Sequence, residues 1–405
     1  MILLKNARPL LAAEQYMGQC VDILIAGESI VAMGKKLDCG NLPAESVDLE
    51  GRTVSPGLID GHVHFVGAAW DEGFSSKTPE IFLSEFIRGG ITTAVGILAF
   101  GYGCENLEAL NYKTQTLASE GLSAYMYTGN FRCPQESMTG SAPKDIVMIP
   151  HVVGAKVSMT DKFSSHPGES ELARMASEVY VAGLQSGKAG VLHIHIAEYG
   201  DAYSILERVR KISGVPSEIF VPTHCNTDTA MLDNAKKYAA SGGCVDISGI
   251  LEASRGCPRS VKASTAIESL LDFGVSPDRI TLSSDGNVGL PFLTDDGERH
   301  GLYVERVSST WDNTRDMICD GVPPELAISF AGKNPAERLK LHKKGLLNIG
   351  MDADILVFDD EWNIERVYMK GRRAMVGGEP LLYSPFELDL PRSRKEKIKR
   401  GHKNE

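Results

Sequence analysis

In SPGLIDGHVHF (residues 55–65) a Pro-Gly pair releases a short apolar run that ends in Asp60, Gly61, His62, Val63 and His64. Side chains alternate along a strand, so His62 and His64 face the same way, about 7 Å apart. Two imidazoles on one face can share a metal ion. Alone they can equally be satisfied polar residues of a core.

The pattern of the chain changes on either side of this segment. Before it, VDILIAGESIVAMG (21–34) reads as two strands folded about Gly27, and VDLEGRTVSPG (47–57) as a strand, a turn and a Pro-Gly exit. Near the other end, ADILVFD (353–359) and IERVYMKGRRAM (364–375) again read as strands with turns. Chain ends tend to lie close together, so residues 1–55 and 345–390 are expected to form one small β-sandwich domain. Two unrelated β appendages are the alternative.

After the segment, apolar strands alternate with amphipathic helices. Eight candidate strands fall at 57–65, 92–98, 123–130, 152–159, 190–197, 218–225, 243–249 and 279–285. Ala202, Ile205, Leu206 and Val209 repeat at helical spacing and stop at Gly214, and Met231, Ala235 and Tyr238 form a second helical stripe. This alternation predicts an α/β fold, a TIM-like (β/α)8 barrel over residues 56–344. A doubly wound sheet is the competing architecture, but no GxGxxG follows the first strand.

Further polar residues sit at the predicted strand ends. Lys156 lies inside VVGAKVSM, His195 in VLHIHIA, His224 in FVPTH and Asp285 in ITLSSD, spaced 39, 29 and 61 residues apart. One βα unit spans roughly 30–40 residues, so these gaps are one, one and two units. All the candidates therefore fall at C-terminal strand ends, where barrel sites form. His193, two residues before His195, faces the same side one layer deeper, as a core residue or an outer partner of the site. Burial of Lys156 favours its neutral amine, which can take up carbon dioxide and become a carbamate able to bridge two metal ions. A Schiff-base nucleophile is the other use of such a lysine, and it needs no surrounding imidazoles.

These motifs, SPGLIDGHVHF, the buried Lys156, one His at each of the next two strand ends and SSDGN, resemble the amidohydrolase superfamily. More narrowly, TPE (78–80), YTGNFRCP, MTGSAPKDI, VPTHCN, GGCVDIS and RITLSSDGN resemble the isoaspartyl dipeptidases over almost the whole chain. The resemblance implies two divalent ions, zinc as a rule. His62, His64, carbamylated Lys156 and Asp285 would hold one, and Lys156, His195 and His224 the other. It also implies that Asp285 takes a proton from metal-activated water and delivers it to the leaving amine, and that the protein is a homo-oligomer. The recognition residues depart from the family's pattern. Asp71 stands for a Glu, Phe131 for a Tyr, Phe163 and Thr227 for two Arg, and Gly289 for a Ser. An unpaired substrate carboxylate against Phe163 would cost several kcal/mol. Arg132, Lys162 and Arg255 are the nearby cations that can compensate. Cyclic amides, imides or N-acyl compounds suit a site with fewer cations.

Composition narrows the rest. A net charge of −11 argues against nucleic acid as a partner, since binding a polyanion needs clustered Lys and Arg. The basic run at residues 392–403 reads as a solvated tail within 391–405. Eight cysteines without CxxC pairs suggest reduced thiols in the cytoplasm. MILLKNARPLLAAEQ lacks a signal-peptide pattern, and the longest uncharged stretch, 89–104, is too short for a membrane span. The expected partner is a small-molecule amide. A metal-free scaffold with a relic site is the reading from another class, and metal content separates the two.

Overall fold

The structure, a computed structural model, describes residues 1–69, 73–197, 201–293 and 299–388. Strands β1 (Ile2–Pro9), β2 (Val21–Ala26), β3 (Ser29–Gly34), β4 (Glu45–Asp48) and β5 (Thr53–Pro56) precede the first predicted barrel strand. The hairpin about Gly27 forms, with that glycine at φ 60°. Eight strands follow: β6 (Leu58–Val63), β7 (Ile91–Gly96), β8 (Ser123–Gly129), β9 (Val152–Thr160), β10 (Val191–Ile196), β11 (Phe220–Thr223), β12 (Val245–Ser248) and β13 (Ile280–Ser283). They correspond to the eight expected strands, mostly with shorter ends, although β7 starts one residue earlier and β9 ends one residue later. A hairpin that the sequence reading did not anticipate, β14 (Gly289–Leu293) and β15 (Arg299–Val304), comes next. The chain closes with β16 (Ile355–Phe358), β17 (Ile364–Met369), β18 (Arg372–Val376) and β19 (Glu379–Pro380).

β6 to β11 form one parallel six-stranded sheet in sequence order, and β12 pairs with β13 in parallel. Both gaps between these sheets are bridged. The Cys225 N–H and the Thr223 hydroxyl donate to Asp246, at 3.3 and 2.7 Å, on one side. On the other, Asp285 N donates to His62 O and His64 N to Gly286 O, both at 3.1 Å. This is the TIM-like arrangement. On β10, Leu192, Ile194 and Ile196 pack outward with the helix-facing core, while Val191 joins an inner cluster with Ile59, Val95 and Tyr127. His193 and His195 continue the inward face of Val191. The helix at Ala202–Ser213 buries Ala202, Leu206 and Val209, and ends on Gly214 at φ 65°. The helix at Thr229–Ala240 buries Met231, Ala235 and Tyr238. Asp201 and Asp228 cap them by accepting from Ser204 N and Met231 N.

Strands from the two chain ends do combine, since β5 pairs antiparallel with β16. The hydrogen bonds link the strands of both chain ends into one nine-stranded sheet. The reason lies in β1. Its first half pairs with β2 and β4 and its last residues pair with β5, so one strand belongs to both halves. A separate set of buried side chains, including Leu4, Ile23, Ile355 and Tyr368, packs this sheet.

Lys344 fastens the sheet to the barrel. Its buried ammonium pairs with Asp354, lies 2.8 Å from Asp352, and donates to Ser123 Oγ at the start of β8 at 2.7 Å. Removing one member of a buried pair leaves an uncompensated charge. Lys344→Ala is expected to cost about 3–5 kcal/mol of stability. Lys344→Met combined with Asp354→Asn should lose clearly less, as read from chemical denaturation of both variants.

Candidate metal centre

The expected strand ends deliver their side chains to one place. His62 lies on β6 and His64 just past it, Lys156 on β9 and His195 on β10, while His224 directly follows β11 and Asp285 comes two residues after β13. All six line one cavity of about 190 Å³. His62, His64, Lys156 and His224 are buried, and the side chains of His195 and Asp285 are each 14% exposed.

The distances are those of a ligand set. His62 Nε2 and His64 Nε2 both lie 3.1 Å from Asp285 Oδ1, and the His224 ring faces the same carboxylate. Tetrahedral ligands at about 2.0–2.1 Å from a metal stand roughly 3.3 Å apart, so these edges fit an ion. Lys156 Nζ is 3.4 Å from His62 Nε2. Among the described residues it forms no ion pair, and 5.1 Å away its other neighbour is the Phe131 ring.

Burial sets the protonation states. It drives His62 well below the usual imidazole range, lowers His195, and takes His224 down to about 3. The rings are thus neutral lone-pair donors. Burial also lowers Lys156 to about 7, so a neutral amine is accessible. Burial alone would raise Asp285, yet the facing His62 and His224 rings and hydrogen bonds from His62 and His64 hold it well below the carboxylate range.

Outer contacts orient the rings. His62 Nδ1 meets His193 Nε2 at 2.8 Å, and the Tyr127 ring stacks on His193 at 5.0 Å. His193 is therefore the outer partner. His224 Nδ1 meets Ser248 Oγ at 2.7 Å. His195 Nε2 meets Asp161 Oδ2 at 2.6 Å, leaving Nδ1 buried and unpaired, and His64 Nδ1 is likewise unpaired. The unpaired Nδ1 of His195, a ring already fixed through its other nitrogen, fits a metal ligand. His62, His193 and Asp246 also cluster, but there the two rings already bond each other and Asp246 accepts from Thr223, Thr281 and Ser283. Both Asp246 oxygens are thus taken, although His193 Nδ1 is unpaired. Asp161 escaped sequence reasoning because it lies past the end of β9, where spacing carries no signal.

The backbone is strained where ligands are delivered. His224 and Asp285 adopt φ 64° and 59°, the left-handed region. Such conformations cost of order 1–3 kcal/mol and persist only when surroundings enforce them. Here Asp60 helps. Its buried Oδ1 accepts from His62 N at 3.2 Å and from Ser284 N at 3.0 Å, tying the first strand to the residue before Asp285.

The expected recognition residues are distributed unevenly. Phe131 and Thr227 line the cavity, and the Thr227 hydroxyl donates to His224 O at 2.6 Å. Phe163 stacks on Phe100 at 4.1 Å, and Phe100 meets Phe131 edge-on at 5.9 Å. Gly289 is outside the described lining, although its neighbours Val288 and Leu290 belong to it. Arg132 pairs with Glu136 and lies 3.4 Å over the Tyr102 ring. Asp71 lies outside the described residues.

A parallel α/β barrel with imidazoles, a lysine and a carboxylate at its C-terminal strand ends is the architecture of hydrolases that activate water with metal ions. Residues 53–381 match the Amidohydrolase family, and the chain belongs to it, as a hydrolase acting on carbon–nitrogen bonds. The β-aspartyl dipeptidase of Fervidobacterium islandicum AW-1, solved in complex with a β-Asp-Leu dipeptide, is 32% identical. That match covers 94% of this chain and 98% of that one, with a TM-score of 0.83. A deacetylase of Brucella anthropi is 24% identical over 97% of this chain and 95% of its own length. A D-hydantoinase from Thermus sp. shares the fold at a TM-score of 0.68 and 16% identity, over 95% of this chain and 97% of that one.

Because Asp161 fixes the proton on His195 Nε2 and frees Nδ1, Asp161→Ala is expected to weaken divalent-metal binding about 10–100-fold. Zinc-binding isotherms of apo-protein and variant check this.

Proposed function

We propose that this protein is a binuclear metal-dependent amidohydrolase that cleaves an amide C–N bond of a small molecule, in the manner of an isoaspartyl dipeptidase. The observation that carries the reading is Lys156, fully buried and next to His62, with three further imidazoles and a carboxylate lining the same cavity. In this reading His62, His64 and Asp285 hold one ion and His195 and His224 the other, with Lys156 in both sets. Bound divalent ions, zinc foremost, supply Lewis acidity and lower the pKa of water toward about 7. The neutral Lys156 amine adds to carbon dioxide, forms an N–C bond and loses a proton, becoming an anionic carbamate. Asp285, ionised at rest, takes a proton on a carboxylate oxygen and gives it to the leaving nitrogen. Phe131, its ring 4.4 Å from that of His195, keeps bulk water from this side of the site.

The proposal extends to organisation. Residues 56–344 carry the site and residues 1–55 with 345–390 form the accessory domain. The basic run at 391–405 is a tail outside the described residues. The assembly is a homo-oligomer and its location the cytoplasm, in keeping with eight free cysteines. No helix among the described residues is long and apolar enough to cross a membrane. A second reading, hydrolysis of cyclic amides, imides or N-acyl compounds, is favoured by the apolar residues Ile250, Leu251, Val288 and Leu290 in the cavity wall.

Elemental analysis is expected to find about two divalent ions per chain, and chelation to abolish amide hydrolysis until zinc or manganese is restored. Absence of metal together with chelator-insensitive activity refutes the reading. Lys156→Ala should lose activity and one or both ions, and a short carboxylic acid added with metal should restore part of each. Loading of apo-protein should also accelerate with added bicarbonate. A variant that keeps both ions without any added acid would rule out the bridging carbamate.

A further inference from the structure

The cavity beside the ligand set has a wall of one chemical character. Phe131, Ile250, Leu251, Val288 and Leu290 line it, and among its described lining residues the only cation is Lys156, already assigned to the metal set. Phe131, Ile250, Val288 and Leu290 belong to one buried apolar cluster against which Phe100 and Phe163 pack. Phe163, where the resemblance implies a guanidinium, is thus built into the aromatic backing of this wall. Thr227, the other such position, spends its hydroxyl proton on His224 O.

Two of the three cations that could compensate are held by carboxylates. Arg132 pairs with Glu136 and covers Tyr102. Arg255 is 3.3 Å from Glu252 and 3.3 Å from Glu305, whose side chain is 4% exposed. Lys162 lies 4.7 Å over the Phe163 ring. A carboxylate entering beside the scissile carbonyl would therefore be desolvated against aliphatic and aromatic carbon. The cavity of about 190 Å³ also contains the metal set, so the space beside the apolar wall is small.

We infer that the substrate is an amide whose acyl side is small, uncharged and apolar. Phe131, Leu290 and the Phe100–Phe163 stack exclude the α-carboxylate of a β-aspartyl group. This rests on the metal-dependent amidohydrolase reading above.

Two hydroxamates test the pocket without turnover. 3-Methylbutanohydroxamate and aspartate β-hydroxamate carry the same metal-chelating head, and only the second bears a charged ammonium and carboxylate on its α-carbon. On zinc-loaded protein the first is expected to bind at least about tenfold more tightly by calorimetry. Hydrolysis should follow the same order, with kcat/KM for 3-methylbutanoyl-leucinamide at least about a hundredfold above that for β-aspartyl-leucine. Phe163→Arg with Thr227→Arg should narrow or reverse both orders. Equal or tighter binding of the aspartyl compound to wild type overturns the inference and leaves the amidohydrolase reading standing. Binding of neither hydroxamate to protein shown to hold zinc overturns the metal-centre reading itself, and the inference with it. Should the double variant fail to fold, the wild-type order alone decides.

Discussion

Burial of the Lys156 amine is the constraint around which the mouth of this barrel is arranged. An ammonium with 1% of its surface exposed and no ion-paired carboxylate among the described residues is costly in a low-dielectric interior. Neutralising it is one way out, and conversion to an anion held by cations is another. The surroundings suit the second. Imidazoles driven neutral by burial cannot balance a negative charge by themselves, whereas they are good ligands for ions that can. Lysine, histidines and aspartate therefore make sense together and poorly one by one.

Holding such a set demands more from the scaffold than a strand register provides. Parallel strands bring His62, Lys156 and His195 to one cavity, but His224 and Asp285 reach it through left-handed backbone just beyond their strands. Asp60 ties the ends of β6 and β13 together, so the strained Asp285 follows a residue already anchored to the His62 strand. The outer partners His193, Ser248 and Asp161 then fix which nitrogen of each ring is committed and which is left for a metal. Precision at the site is thus distributed over several strands, in keeping with the stiffness of a packed barrel.

Chemistry and recognition are separable in this molecule. The ligand positions follow the pattern of the amidohydrolases, and the neighbouring wall has gone its own way toward carbon. A wall assembled from Phe131, Val288, Leu290 and the Phe100–Phe163 stack changes what can approach the ligand set without altering that set. That separation is why 32% identity to a β-aspartyl dipeptidase fixes the family and the reaction type more firmly than the substrate.

The eight strands, the helices between them and the positions of His62, His64, Lys156, His195, His224 and Asp285 were legible in the sequence. Each follows from local periodicity or from the near-constant length of a βα unit, both of which are one-dimensional quantities. Tertiary structure decided the rest. That the two chain ends share a single nine-stranded sheet depends on β1 pairing at both of its ends, which hydropathy cannot report. The β14–β15 hairpin, Asp161 on His195 and the pairing of Arg132 with Glu136 depend on which side chains meet in space. Sequence located residues that line one cavity together, because they recur with the barrel's period. The resemblance also marked Phe131 and Phe163 as departures, but their meeting with Val288 and Leu290 in one apolar cluster emerged only from packing, because that wall comes from loops whose spacing obeys no period.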